Sequence, residues 1–259
     1  MRRRHYNSLL DEPQTGGVQP LFALGLGLAC CALLLLVAAG GGTRLGAWSF
    51  RTGFTLIRVA AYGGIGALLV TLIAIGAALG QGAPIRKAWV LVAGGMALIA
   101  VALPLSLKRA AAELPRIHDI STDLDNPPRF VAILPLRLST DNPADYGGEE
   151  IAAQQRQAYG DVKPLVLDTS VDQAFALALK AAQRMCWRIA AQVPEEGRIE
   201  ATATTFWFGF KDDIVIRITP LENRARLDIR SLSRVGVSDV GTNANRIRAF
   251  LRELTSLKS

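Results

Sequence analysis

The segment ARLDIRSL, Ala225 to Leu232, alternates charged and apolar residues, so that Arg226, Asp228 and Arg230 share one face of a strand opposite Leu227 and Ile229. Arg217, in the preceding segment DDIVIRITP, can join that charged row from a neighbouring strand. Guanidinium groups so arranged bind carboxylate or phosphate through paired N–H donors. They equally form a cross-strand salt-bridge ladder with Asp228. Directly downstream, SRVGVSDVGTNANRIRAF (Ser233 to Phe250) runs from polar residues through Gly236 and Gly241 into a stretch of helical period. N–H groups at a helix N-terminus, with Arg234 and Arg246 nearby and Arg230 on the approaching strand, would suit an anion. Ser233, Ser238, Asp239 and Asn243 complete that candidate ligand-binding set. The same stretch also reads as a plain strand-to-helix connection, with Thr242 or Asn243 capping the helix and the two glycines taking positive φ.

Other chemistry has less to work with. GxSxG, Walker, GxGxxG and HExxH motifs are absent, so no cofactor is expected and catalytic residues stay unknown. The only histidines are His5 and His118, which leaves Ser231, Ser233 and Ser238 without a local base. His118, Asp119, Asp123 and Asp125 are the one grouping with metal-binding side chains. They lack the glycine and terminal Glu of a calcium hand, and one His is short of an ordinary zinc site, so no metal is expected. Asx turns before Pro127 account for the carboxylates more simply. Phe206, Trp207, Phe208 and Phe210 form an aromatic run that is either core or an exposed patch meeting a partner, a lipid surface or an apolar ligand.

The elements that position these residues divide the 259-residue chain in two. Pro20 to Gly42 and Ala88 to Leu107 carry no charge, and Phe54 to Gly80 carries only Arg58, which can snorkel to an interface. Each is long enough to cross a hydrocarbon core, so three transmembrane helices are expected over about 20–42, 54–80 and 88–107. The first is longer than a cleaved signal core and two more follow it, which favours a span. Ala60 and Gly64, and Gly76 and Gly80, form small-residue faces through which the spans can form a homo-oligomer. No His or acidic residue lies inside a span, which argues against a pump or transporter.

The net charge of +7 comes from residues 1–109, where 10 Lys and Arg face 2 Asp and Glu; the remainder holds 19 against 20. Basic flanks are what a cytoplasmic membrane face and anionic headgroups select, so the charge does not point to nucleic acid. Arg2, Arg3 and Arg4 place residues 1–19 in the cytoplasm, and three crossings then put the C-terminal domain on the periplasmic or extracytoplasmic side of the inner (plasma) membrane. Cys30 and Cys31 lie in the first span and Cys186 is alone beyond it, so no intradomain disulfide reports the compartment.

Residues 108–128 read as a polar linker, and 129–259 as a soluble domain. Phe130 to Leu138 is expected as an edge strand and 141–161 as a polar, mobile stretch. Ser170 and Gln173 make a capping box before a helix whose stripe runs from Val171 to Met185. Strands follow at 187–193, 198–205, 213–220 and 225–232, joined by short turns into an antiparallel meander. Ile247, Phe250, Leu251 and Leu254 place a final helix on the core. The expected fold is three N-terminal transmembrane α-helices followed by an α+β domain of helix, four-stranded antiparallel meander and helix, both helices on one sheet face.

Four segments in order, PRIHDISTDLDNPPRF (Pro115–Phe130), IEATATT (Ile199–Thr205), DDIVIRI (Asp212–Ile218) and DIRSLSRVGVSDVGTNANRIRAFL (Asp228–Leu251), resemble the domain-of-unknown-function family 1499 over about residues 112–255. In YGDVKPL, Gly160 stands where that family often has a proline. The resemblance implies a bacterial or plastid envelope or lumen domain with no established activity. The expected function is a membrane-anchored cell-envelope protein whose domain binds a partner protein or an anionic lipid-like ligand. Two alternatives stay open: an enzyme acting on a phosphate- or carboxylate-bearing substrate at the Arg/Asp face and the 233–243 loop, and a structural subunit of a membrane complex.

Overall fold

A computed structural model describes residues 17–258; Arg2, Arg3, Arg4, His5 and the rest of the N-terminal segment up to residue 16 lie outside the described residues. The chain falls into two compact units, one ending at Ser106 and the other beginning at Leu107.

The first unit consists of α1 (Gln19–Arg44), α2 (Phe50–Gly80) and most of α3 (Lys87–Glu113). All three are long and apolar enough to cross a membrane. Their contacts are made by small side chains: Ala29, Ala32 and Ala39 of α1, Ala60, Ala67, Ala74 and Ala78 of α2, and Ala93, Ala97 and Ala100 of α3 are buried. Leu34, Leu69, Leu72, Ile73 and Leu91 point outward. Small residues inside and large apolar ones outside is the arrangement that hydrocarbon surroundings favour, because close backbone approach rather than apolar burial drives the packing. The expected Ala60/Gly64 face is used within the chain: a Cβ at Gly64 would stand 3.0 Å from the Ala97 carbonyl. α3 tolerates Pro104 inside it and runs on through the helix-forming Ala110–Ala112 into the segment expected as linker.

In the second unit, α5 (Val171–Arg184), β3 (Arg188–Val193), β4 (Arg198–Thr204), β5 (Lys211–Leu221), β6 (Arg224–Ser233) and α6 (Thr242–Lys258) reproduce the expected helix, antiparallel meander and helix. Ser170 caps α5 by accepting from the Gln173 N–H at 3.3 Å. The sheet is wider than four strands: β1 (Asp119–Ser121) and β2 (Leu165–Leu167) both pair antiparallel with the outer edge of β6, giving six strands in the order β1/β2-β6-β5-β4-β3.

One sheet face carries the core. Ile199 and Ala201 of β4, Ile214, Ile216 and Ile218 of β5, and Leu227 and Ile229 of β6 pack there against Ala174, Phe175, Ala178, Ala181 and Ala182 of α5 and Ile247, Phe250 and Leu254 of α6. Both helices therefore lie on that face, as the two stripes require.

The opposite face is covered by residues 122–147, and here the structure corrects two expectations. Residues 130–138 form no strand; they turn through a 3-10 segment at Leu134–Leu136. The reason is Glu200, fully buried on β4, whose carboxylate accepts N–H bonds from Val131, Ala132 and Ile133 at 2.9–3.1 Å. Those donors curl around a charge instead of facing a neighbouring strand, and Pro135 has none to offer. Within the stretch expected to be polar and mobile, α4 (Gly148–Ala158) forms. Its buried Gln155 accepts from the Ser121 N–H and donates to the Ser121 carbonyl, closing the pairing that β1 leaves open.

Candidate functional site

The alternation of β6 places Arg226, Asp228 and Arg230 on the face opposite the core, and β5 aligns Arg217 directly beside Asp228. These side chains do not form one row with one role. Together with Arg234 they divide into three clusters, neutralised by Asp119 of β1, Asp123 of the following loop, and Asp213 and Asp228 of the sheet itself.

At the centre, Arg230 is 2% exposed. Its Nε and Nη2 donate to the two Asp119 oxygens at 2.8 and 2.7 Å, and further N–H groups reach the carbonyls of Pro128 and Ala144. The guanidinium also lies 5.0 Å from the Phe130 ring and 5.4 Å from that of Tyr146. Tyr146 is pushed up to about 12, first by burial and then by the Asp119 charge. A guanidinium so enclosed, paired on both edges and covered on its faces, positions loop 122–147 rather than offering donors to solvent.

Toward the end of the sheet where β6 stops, Arg234 donates through Nε and Nη2 to Asp213 at 2.9–3.1 Å and through Nη1 to the Leu136 carbonyl. Asp213 is fully buried, is also paired with Arg137, and accepts the Thr202 hydroxyl at 2.9 Å. On the other face, Arg246 pairs with Asp212 and bonds Ser231 Oγ and Asn243 Oδ1. Asn243 is fully buried and donates to the His118 carbonyl and Ser233 Oγ. The hydroxyls of Ser231 and Ser233 are thus engaged by Asn243, while that of Ser238 meets the Pro115 carbonyl at 3.4 Å.

The helix N-terminus in the 233–243 loop is already occupied by an anion of the chain itself. Asp239, not Thr242 or Asn243, caps α6: its two carboxylate oxygens accept from the Gly241 and Asn243 N–H groups at 2.9 and 2.7 Å. Burial raises the Asp239 pKa, the two N–H bonds oppose the rise, and the neighbouring Asp212 adds to it. Gly236 and Gly241 take φ of +92° and +76°, the left-handed turns expected of them.

The third cluster, toward the opposite end of the sheet, is the most open. Arg217 and Arg226 share Asp123 and Asp228, with N–H to carboxylate distances of 2.9–3.2 Å. Their side chains retain 23% and 37% exposure, and Arg217 Nε is buried without a hydrogen-bond partner. Asp123 also accepts the Asp125 and Asn126 N–H groups, which is the Asx turn expected before Pro127.

The sequence of the second unit matches the model of the family described as protein of unknown function (DUF1499) over residues 119–254, just over half of the chain. The chain belongs to this family. The DUF1499 match begins at Asp119, the carboxylate that holds Arg230, and ends at Leu254 in the core face of α6, so it spans all three clusters. A comparison with curated proteins finds no match. Sequence reasoning missed Asp119, Asp212, Asp213, Glu200, Arg137 and Arg198 as members of the charged constellation. For the two β5 aspartates a signal was present: consecutive acids at the head of the apolar run IVIRI are out of place unless paired.

Proposed function

We propose that this DUF1499 membrane protein is an envelope binding module and not an enzyme, with its C-terminal domain on the extracytoplasmic side of the inner membrane, and that it engages a partner protein or an anionic lipid-like ligand. The observation that carries this reading is the state of the polar face. Arg230 and Arg234 are held by buried carboxylates and backbone carbonyls and Arg246 by Asp212, Ser231 and Asn243, the helix N-terminus is filled by Asp239, and the serine hydroxyls meet Asn243 and backbone instead of a base. Groups spent on one another hold a surface rigid and leave no activated nucleophile.

Of the cations among the ten candidate residues, Arg217 and Arg226 are the most exposed, and we assign the anion-accepting part of the surface to them. An incoming carboxylate or phosphate would compete with Asp123, which is partly exposed at the edge of the pair, for the Nη donors of Arg217 and Arg226. Native mass spectrometry of the full chain, extracted gently from its own membrane, tests this. A stoichiometric anionic molecule or defined partner that is retained by the wild type and lost from Arg217→Gln/Arg226→Gln supports the proposal. A ligand that survives in that variant, or is turned over by the wild type, contradicts it.

A further inference from the structure

We infer that the end of the sheet carrying the β4–β5 hairpin is a bilayer-docking surface that rests on an anionic lipid leaflet. Three loops meet at this end. The β5–β6 pairing puts Asp212 opposite Ser233, so the hairpin at 205–210 and the turn after β6 lie together. The 134–142 loop is fastened to the start of β5 and to the turn: Arg137 pairs with Asp213, Arg234 Nη1 donates to the Leu136 carbonyl, and Asn142 Nδ2 donates to the carbonyls of Ser233 and Gly236. Each loop displays a large apolar side chain outward. Leu136 and Leu138 do so from the first, Phe206 at 91% exposure from the hairpin, and Val237 from the turn. Monomeric soluble surfaces rarely gather such residues without a partner for them.

The occupant follows from where the chain enters and from charge. Residues 114–118 join this unit to α3, and they arrive at the same end: Ser233 N–H donates to the His118 carbonyl, Asp239 N–H to that of Ile117, and Ser238 Oγ meets that of Pro115. The loops therefore flank the point where the chain enters the sheet. Arg116, Arg188 and Lys211 are exposed at this end. The far end of the sheet carries exposed Glu195, Glu196 and Glu222 with Arg224. Exposed apolar side chains with Arg116, Arg188 and Lys211 beside them suit an acyl–headgroup boundary with anionic lipid, and the end with three exposed glutamates suits water. This docking does not depend on what the Arg217–Arg226 pair binds, since that pair lies toward the far end.

The full chain is reconstituted into vesicles of phosphatidylcholine and phosphatidylglycerol containing a photoactivatable phosphatidylglycerol, and the labelled peptides are mapped. We expect label at 134–142, 205–211 and 234–238 in addition to the spans, and none at 194–197 or 221–224. Leu136→Asp/Leu138→Asp should lose the loop label while the melting temperature holds. Arg116→Gln/Arg188→Gln/Lys211→Gln should lose the difference between vesicles with and without phosphatidylglycerol. Loops unlabelled while the spans are labelled, or labelled equally at both ends of the sheet, would overturn the inference. So would chain-to-chain cross-links through these loops in place of lipid, which would make the end an interface between copies.

Discussion

Asp239 shows how a side chain that reads as a ligand-binding candidate becomes a structural anion. Replacing it with Ala leaves the Gly241 and Asn243 N–H groups without their acceptor and should destabilise the full chain by about 0.5–2 kcal/mol, the usual cost of losing an N-cap. Its titration has a definite sign. Burial raises its pKa above the ordinary 3.8, so between 3.8 and the folded value the native state holds more protons than the unfolded one. Stability contributed by this group therefore falls as pH rises through that window. Thermal melting of the wild type beside Asp239→Asn, from pH 3.5 upward, should show the wild type losing ground to the variant as pH increases. A difference that stays flat, or runs the other way, would show that the N–H bonds outweigh burial.

At the scale of elements, Glu200 decides the path of the loop that closes the polar face. Removing its charge in Glu200→Gln leaves only one oxygen to serve the three N–H groups of Val131, Ala132 and Ile133 and leaves Arg198 without a carboxylate on that side. Hydrogen exchange at 131–133 should accelerate by about one to two orders of magnitude while the β5 and β6 amides hold, as for a local opening. Equal acceleration throughout would mean that the loop and the sheet open together. This dependence also explains what the sequence could disclose. The meander, α5 and α6 carry periods of two and 3.6 that their own residues express, and they form where those periods place them. β1 and β2 are three residues each, too short for a pattern, and exist because β6 offers them an edge. α4 buries Ala152 and Gln155 rather than an apolar stripe, so nothing local announced it. Residues 130–138 look like an edge strand until Glu200, remote in sequence, claims their donors. The candidate site divides in the same way. Alternation revealed that Arg226, Asp228 and Arg230 share a face, but not their partners, because Asp119 comes from a strand too short to show a pattern, and Asp123 and Arg137 from loops whose path only the folded chain determines.

For the whole molecule, the Arg2–Arg4 cluster ahead of the first span sets the expected topology. A reporter active only outside the cytoplasm, fused after Ser259, should be active, and one active only inside should be silent; the reverse result would place residues 114–258 on the cytoplasmic side. If the charged face is mostly scaffold, with accessibility kept at one corner, thermal melting of the full chain in nanodiscs should separate Arg230→Ala from Arg226→Gln. Arg230→Ala leaves the buried Asp119 carboxylate without its partner and should cost about 3–5 kcal/mol. Arg226→Gln removes one arm of a partly exposed cluster in which Arg217 still holds both carboxylates, and should cost no more than about 1 kcal/mol. A large fall for the first and a small one for the second is the predicted result. Near-equal melting temperatures, or the greater loss in Arg226→Gln, would contradict the division of this face into scaffold and site.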